Sequence, residues 1–169
     1  MKKTIQYKGK SINLDQTDLT ILRILQEKGK ITNLHLSKEI GLSPAPTLER
    51  VKKLENYNLI QGYHAEINAP VLGVGFTALV QVSLTRQIDN AINNFLQSIN
   101  EMEEIVECYQ LTGNFDYQLK IMVKDIPAFE ELIREKLSKV EQIGQMQTLV
   151  VLSEMKKSHV IPMDYGTEH

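Results

Sequence analysis

The 169-residue chain carries a single cysteine, Cys108, which excludes an internal disulfide and a cysteine-rich zinc site. No apolar run approaches the roughly 18 residues of a membrane-spanning helix. The opening Met1-Lys2-Lys3-Thr4-Ile5-Gln6 lacks the apolar stretch and small-residue cleavage site of a signal peptide, so a cytoplasmic protein without membrane association is expected. The four histidines (35, 64, 159 and 169) show no metal-ligand spacing, and Gly73-Val74-Gly75 lacks the third glycine of a dinucleotide fingerprint. No paired acid–base site or nucleophilic triad is present, and Cys108 sits in a strand-like pattern that suits a small core thiol. These absences predict a non-enzyme with no metal and no cofactor.

What remains is an ordinary globular composition, 42% apolar and 24% charged, sized for one or two small domains. The net charge of −2 hides an asymmetry. Residues 1–70 hold 11 basic and 7 acidic residues (net +4), whereas residues 71–169 hold 8 and 14 (net −6). The basic half can meet a polyanion and the acidic half would be repelled by one, so the halves are expected to have different partners.

Residues 1–13 are polar and basic (Lys2, Lys3, Lys8, Lys10) and read as a partly ordered arm. A helix then starts at Asp15, with Asp18 as a second carboxylate in its first turn and Leu14 and Leu19 as a hydrophobic staple. Its apolar stripe runs through Leu19, Leu22 and Leu25, and Gly29 follows as its C-terminal stop. A short helix capped by Thr32 or Asn33 ends at Gly41. Ser43 and Pro44 supply the N-cap and first position of a third helix reaching about Tyr57, with Pro46 tolerated in its first turn. Its residues Leu48, Val51 and Leu54 read as the inner face. Alternation of Tyr63, Ala65 and Ile67 beyond Leu59-Ile60 predicts a small ribbon, either a wing touching DNA through His64 or Gln61 or a linker element.

The second half reads β-α-β-β-α-β, the split arrangement of ferredoxin-like domains. Strands are predicted at 76–84, 105–111, 115–123 and 146–152, with Thr112-Gly113-Asn114 as a turn between the middle pair. Helical spacing links Ile88, Ala91, Ile92, Phe95, Leu96 and Ile99, and again Ile126, Phe129, Leu132, Ile133, Leu137 and Val140. With both helices on one face, the other sheet face stays open. Thr77, Leu79, Leu149 and Val151 are candidates for it, and self-association is its expected use. The tail after residue 155 reads either as an edge strand at 159–161 or as loose chain.

Two short helices joined through Gly41-Leu42-Ser43 match a helix-turn-helix, whose second member enters the major groove of double-stranded DNA. With its apolar side inward, that helix presents Ala45, Pro46, Glu49, Arg50, Lys53 and Asn56, with Lys52 at the margin. Small residues allow close approach to base edges. Arg50 suits a guanine or a phosphate, Glu49 a cytosine amine, and Lys52 and Lys53 suit phosphates. Ser43 and Thr47 are hydroxyl donors near a helix start that favours phosphate, Thr47 lying nearer the buried side. Asn33, at the start of the preceding helix, completes the candidate DNA-binding set.

The run Leu42-Ser43-Pro44-Ala45-Pro46-Thr47-Leu48-Glu49-Arg50-Val51-Lys52-Lys53-Leu54-Glu55, with Leu14-Asp15 before it and Ile60-Gln61-Gly62-Tyr63 after it, resembles the leucine-responsive/asparagine-operon regulator (Lrp/AsnC, "feast/famine") family. Glu107-Cys108-Tyr109-Gln110-Leu111-Thr112-Gly113-Asn114-Phe115-Asp116-Tyr117 resembles the family's Gly-x-Phe/Tyr-Asp turn, and the likeness covers about residues 12–157. It implies an α+β protein: an N-terminal helix-turn-helix, winged-helix-like DNA-binding domain (14–69), a ferredoxin-like βαββαβ effector-binding and oligomerisation domain (70–157), and a tail (158–169). It further implies a bacterial or archaeal transcription regulator that forms homodimers, octamers or larger rings. An amino acid bound between subunits is the implied effector. Carried over by position, the effector site involves Leu111, Thr112, Gly113, Asn114 and Asp116 with Thr148, Leu149 and Val150. Turn N–H groups around Gly113 suit the ligand's carboxylate and Asp116 its ammonium. The plainer alternative is that Gly113 makes the turn and Asp116 caps it. Two other functions stay open at this level: an architectural protein that wraps DNA without an effector, and a metabolite-binding module with no DNA role.

Overall fold

The structure, a computed structural model, describes residues 3–7, 9–85 and 89–162. The chain separates into two compact units, Met1–Glu66 with Lys156–His169, and Ile67–Met155.

The first unit opens with a hairpin, β1 (Lys3–Tyr7) and β2 (Lys10–Leu14), paired antiparallel with Ile5 opposite Ile12. This corrects the expected arm. Ile12 and Leu14 alternate with Ser11 and Asn13, and both apolar side chains are buried, so burial of one face holds the hairpin to the helices. Helix α1 (Gln16–Glu27) begins at the expected N-cap Asp15, and Asp18 completes a reciprocal capping box: the Asp18 N–H donates to Asp15 at 2.8 Å and the Asp15 N–H to Asp18 at 3.3 Å. Helix α2 (Asn33–Ile40) is capped by Thr32, whose hydroxyl accepts from the His35 N–H, and it ends at Gly41 in the left-handed conformation (φ 72°). Helix α3 (Pro44–Asn56) follows.

Residues 59–67 form no strand, which corrects the predicted ribbon: their alternation finds no partner strand within the described chain. The edge-strand alternative for the tail is not realised either. Residues 156–162 return to the first unit, where Lys157 pairs with Glu66 (2.9 Å) and the Ile161 N–H donates to the Gln26 side chain (2.8 Å).

The second unit is the split βαββαβ. It contains β3 (Phe76–Leu84), α4 (Asp89–Asn100), β4 (Ile105–Gln110), β5 (Tyr117–Val123), α5 (Ile126–Glu135) and β6 (Ile143–Val150). Ile88 lies outside the described residues. The antiparallel sheet has the order β4-β5-β3-β6, so β3 and β5 are central. Ala78, Val80 and Val82 of β3 and Leu119 and Ile121 of β5 are fully buried against Phe95, Ile99, Phe129 and Leu132 of the two helices. The Phe95 and Tyr117 rings meet at 4.9 Å. On the opposite face Leu79 sits directly across from Leu149, which is 41% exposed, and Thr77 and Val151 are half-buried. Cys108 is exposed on edge strand β4 and is not a core residue. Partial desolvation still pushes its thiol pKa up, which does not suit a nucleophile.

Candidate nucleic-acid interface and effector turn

The turn between α2 and α3 is set by Gly41, after which the Leu42 N–H donates to the Ser37 carbonyl at 2.9 Å. Asn33 is tied across it, its side-chain amide donating to the Pro44 carbonyl at 2.8 Å. Asn33 therefore braces the start of α3. Ser43 holds the N-cap position, but its side chain makes no cap bond. Its carbonyl instead accepts from the Thr47 hydroxyl (2.9 Å) and the Thr47 N–H (3.3 Å). Pro44 and Pro46 bring no N–H to this turn, leaving Ala45 between them as an exposed first-turn donor of the kind that meets phosphate.

The face of α3 turned to the core differs from the sequence reading. Thr47 is fully buried and Leu48 is 43% exposed. Residues 48, 51 and 54 drift by about 120° around a helix, whereas 47, 51 and 54 stay within about 60°. The seam therefore runs through Thr47, Val51 and Leu54. Thr47 is thus unavailable to DNA without unfolding the helix start, and Leu48 joins the exposed face beside Ala45, Glu49 and Lys52.

Arg50 and Lys53 do not extend freely into solvent as the helical wheel suggested. Arg50 Nη1 donates to both Asp15 oxygens (2.9 and 2.7 Å) and to Asp18 Oδ1 (2.7 Å). Lys53 Nζ donates to Asp18 Oδ2 at 2.8 Å and to the Asn13 carbonyl at 3.3 Å. Asp18 is fully buried, and its two cations are the reason it tolerates burial. Burial acts to raise the Asp15 pKa, but the Asp18 N–H and then the Arg50 guanidinium outweigh it and hold the carboxyl below its ordinary value. The bonds from Asp15 and Asp18 in turn hold the proton on Arg50 more firmly. The network fixes α3 against the start of α1. The capping pair was legible in the sequence; its partners 32 to 35 residues away were not.

The predicted effector residues fall in two places. Gly113 turns the chain between β4 and β5 at φ 118°, a conformation L side chains rarely adopt. The turn is fastened to β3: the Leu84 N–H donates to Asp116 Oδ2 (2.7 Å), the Asp116 N–H to the Val82 carbonyl (2.9 Å), and the Ser83 hydroxyl to the Asn114 carbonyl (3.1 Å). The Leu111 N–H closes it on the Asp116 carbonyl at 2.8 Å. Thr112, Gly113 and Asn114 are exposed. Thr148, Leu149 and Val150 lie on β6, across β3 from the turn and opposite Val80, Leu79 and Ala78. One chain does not bring these two groups together. Among the described residues no group of three or more His, Cys, Asp or Glu is placed to hold a metal, and no helix is long and apolar enough to cross a membrane.

A winged helix-turn-helix DNA-binding model matches residues 14–61, and the Lrp/AsnC ligand binding domain matches residues 77–161. The chain belongs to the Lrp/AsnC family. It is a DNA-binding transcriptional regulator of the Lrp/AsnC type. The leucine-responsive regulatory protein of Escherichia coli is 40% identical over 147 residues, which cover 87% of this chain and 90% of that protein. Among solved structures, a transcriptional regulator–L-Met complex from Neisseria meningitidis aligns with TM-score 0.84 and 34% identity, covering 88% of this chain and 96% of that one. An AsnC family regulator from Agrobacterium tumefaciens aligns with TM-score 0.84 and 27% identity over 90% and 99%.

Proposed function

We propose that this Lrp/AsnC regulator reads specific DNA sites through α3 and responds to an amino acid bound between subunits. Ala45, Leu48, Glu49 and Lys52 form the exposed face of α3. Leu48 supplies an apolar surface for a thymine methyl, Glu49 an acceptor for cytosine, and Lys52 a phosphate contact. Ser43 and the Ala45 N–H add phosphate donors at the helix start, beside Pro46. Asn33, Arg50 and Lys53 act by holding the helix in place.

The open face of the ferredoxin-like sheet is the proposed contact between copies, giving a homodimer and higher rings. The paired Leu79 and Leu149 supply its apolar centre. Two copies also offer a way to bring the turn at 111–116 of one chain near residues 148–150 of another, which a single chain keeps apart. In that site Thr112, Gly113 and Asn114 present turn N–H groups to a carboxylate. Asp116, already bonded to Leu84, contributes by holding the turn and by its negative charge.

The observation that carries this reading is the exposed α3 face on a braced helix-turn-helix, joined in one chain to a turn locked on β3. Effector action requires that the ligand prefer one assembly state over another. Thermal-shift screening of the twenty amino acids, followed by sedimentation with each stabilising one, tests it. The expected result is a stabilising amino acid that changes the sedimentation coefficient, and loss of that response in Asp116→Ala with DNA binding retained. A normal response in the Asp116→Ala variant would move the ligand elsewhere.

A further inference from the structure

Strand pairing sets one residue from each of the four strands of the ferredoxin-like sheet in a single row across its open face. Tyr109 of β4 lies opposite Gln118 of β5, Gln118 opposite Gln81 of β3, and Gln81 opposite Gln147 of β6. The flanking Val80, Val82, Tyr117 and Leu119 are buried against the helices, so alternation turns the row away from the core. Gln81 and Gln118 are half-buried on the central strands, and Gln147 and Tyr109 are exposed. The Gln81 amide donates to the Gln118 side-chain oxygen at 3.4 Å. Among the described residues, the Gln81 side-chain oxygen, the Gln118 amide and both ends of Gln147 find no partner.

The next row on the same face carries Leu79 and Leu149, so a sheet-to-sheet contact built on those leucines takes the glutamines out of water with them. A closed two-fold contact sets a surface patch against its own copy. A lysine or glutamate near the axis would then meet its own charge, whereas a glutamine amide carries donor and acceptor together and is its own complement. With the axis along the strands, Gln81 of one copy meets Gln118 of the other; with the axis along the row, each glutamine meets itself. The charged pair on the leucine row obeys the same logic. Lys120 is joined to Glu107 at 2.9 Å, and the Tyr109 hydroxyl donates to Glu107 at 2.7 Å. Both signs stand side by side, so a second copy offers each a complement.

We propose that the row Gln81, Gln118 and Gln147 is the self-recognition element of the sheet-to-sheet contact, selecting a second copy of this chain and fixing the register at which the two sheets stack. The proposal rests on the reading of the open face as the contact between copies. Leu79 and Leu149 supply attraction that is not directional. The amides are satisfied at one register and left buried without partners at others, which costs more than their bonds contribute. A single polar residue in the apolar seam of a coiled coil fixes register and partner in this way, at a cost in stability.

The test uses the full chain, with sedimentation and native mass spectrometry for assembly and circular dichroism for folding. Gln81→Glu/Gln118→Glu and Gln81→Lys/Gln118→Lys are measured alone and mixed. Alone, each should raise the dimer dissociation constant by about a hundredfold or more, because like charges then meet across the contact. Mixed, they should recover a one-to-one heterodimer. Gln81→Met/Gln118→Met adds no charge, so it carries the test even where a charged variant does not fold. It should associate at least as tightly as the native chain but populate more than one assembly. Folded charged variants that dimerise like the native chain, a mixture that stays dissociated, or a methionine variant with the native chain's single assembly would overturn the proposal. Leu79→Lys/Leu149→Lys separates this from the underlying reading. It should dissociate; if it stays dimeric, or if the native chain is monomeric, the open-face contact itself fails.

Discussion

Replacing Asp18 with asparagine keeps the side chain's shape and removes the charge that Arg50 and Lys53 share. The carboxylate is 1% exposed and accepts from Arg50 at 2.7 Å and Lys53 at 2.8 Å. Deleting one partner of a buried ion pair costs about 3–5 kcal/mol. Here Arg50 and Lys53 are 30% and 37% exposed, so each recovers part of its hydration, and Arg50 keeps Asp15. The expected cost is therefore about 2 kcal/mol, below the fully buried range and above the ~0.2–1 kcal/mol of an exposed pair. For a helical unit of this size that corresponds to a fall of roughly 10 °C in its melting midpoint. Urea titration followed by far-ultraviolet circular dichroism measures it, with hydrogen exchange at α1 and α3 locating the loss. Combining Asp18→Asn with Arg50→Gln should cost less than the two singles added, by about 1 kcal/mol or more. A single variant within about 0.5 kcal/mol of the native chain, or strict additivity, would refute the claim that this network braces α3.

Lys52→Ala should weaken binding to all duplexes evenly and lower the salt slope by about 1, with an unchanged melting midpoint; a sequence-selective loss would count against a phosphate role. Asp15 has its pKa depressed in the folded chain, so it adds stability that is complete above the ordinary value of 3.8 and fades as pH falls below it. Acid titration of stability should show that limb shrink in Asp15→Asn; an unchanged acid limb would contradict the pairing. Tyr63 donates to Glu55 at 3.0 Å, and burial, then this bond, pushes its pKa up to about 12. Its contribution is complete below the ordinary value of 10 and is lost as pH rises toward 12. The difference between native and Tyr63→Phe phenolate absorbance should therefore centre near 12, and a midpoint near 10 would contradict the contact.

Local signals carried most of the architecture. The Asp15 cap with Asp18 in the first turn, Thr32, Gly41 and the two prolines of α3 act within a turn of where they sit in the chain, so sequence spacing reads them directly. The βαββαβ order was legible because β3 and β5 alternate cleanly between buried and half-buried positions. Long-range partners were not legible. Nothing near Arg50 in sequence announces Asp15 and Asp18, so a helical wheel leaves it facing solvent. The three-residue spacing of Leu48, Val51 and Leu54 hid the truer seam through Thr47, because a hydroxyl that bonds its own helix can be buried. The hairpin did have a signal: Ile5 and Tyr7, then Ile12 and Leu14, alternate around Gly9, but its lysines drew the reading toward an arm. The same alternation at Tyr63, Ala65 and Ile67 produced a ribbon that the chain does not form, since a strand needs a partner edge as well as a pattern.

Site-specific photocrosslinking from position 49 on the exposed side of α3, with position 47 as the buried comparison, tests DNA reading by α3 most directly. With the selected duplex, crosslinks to bases are expected from position 49 and none from position 47. Crosslinks absent from position 49, in a chain that still binds the duplex tightly, would contradict it.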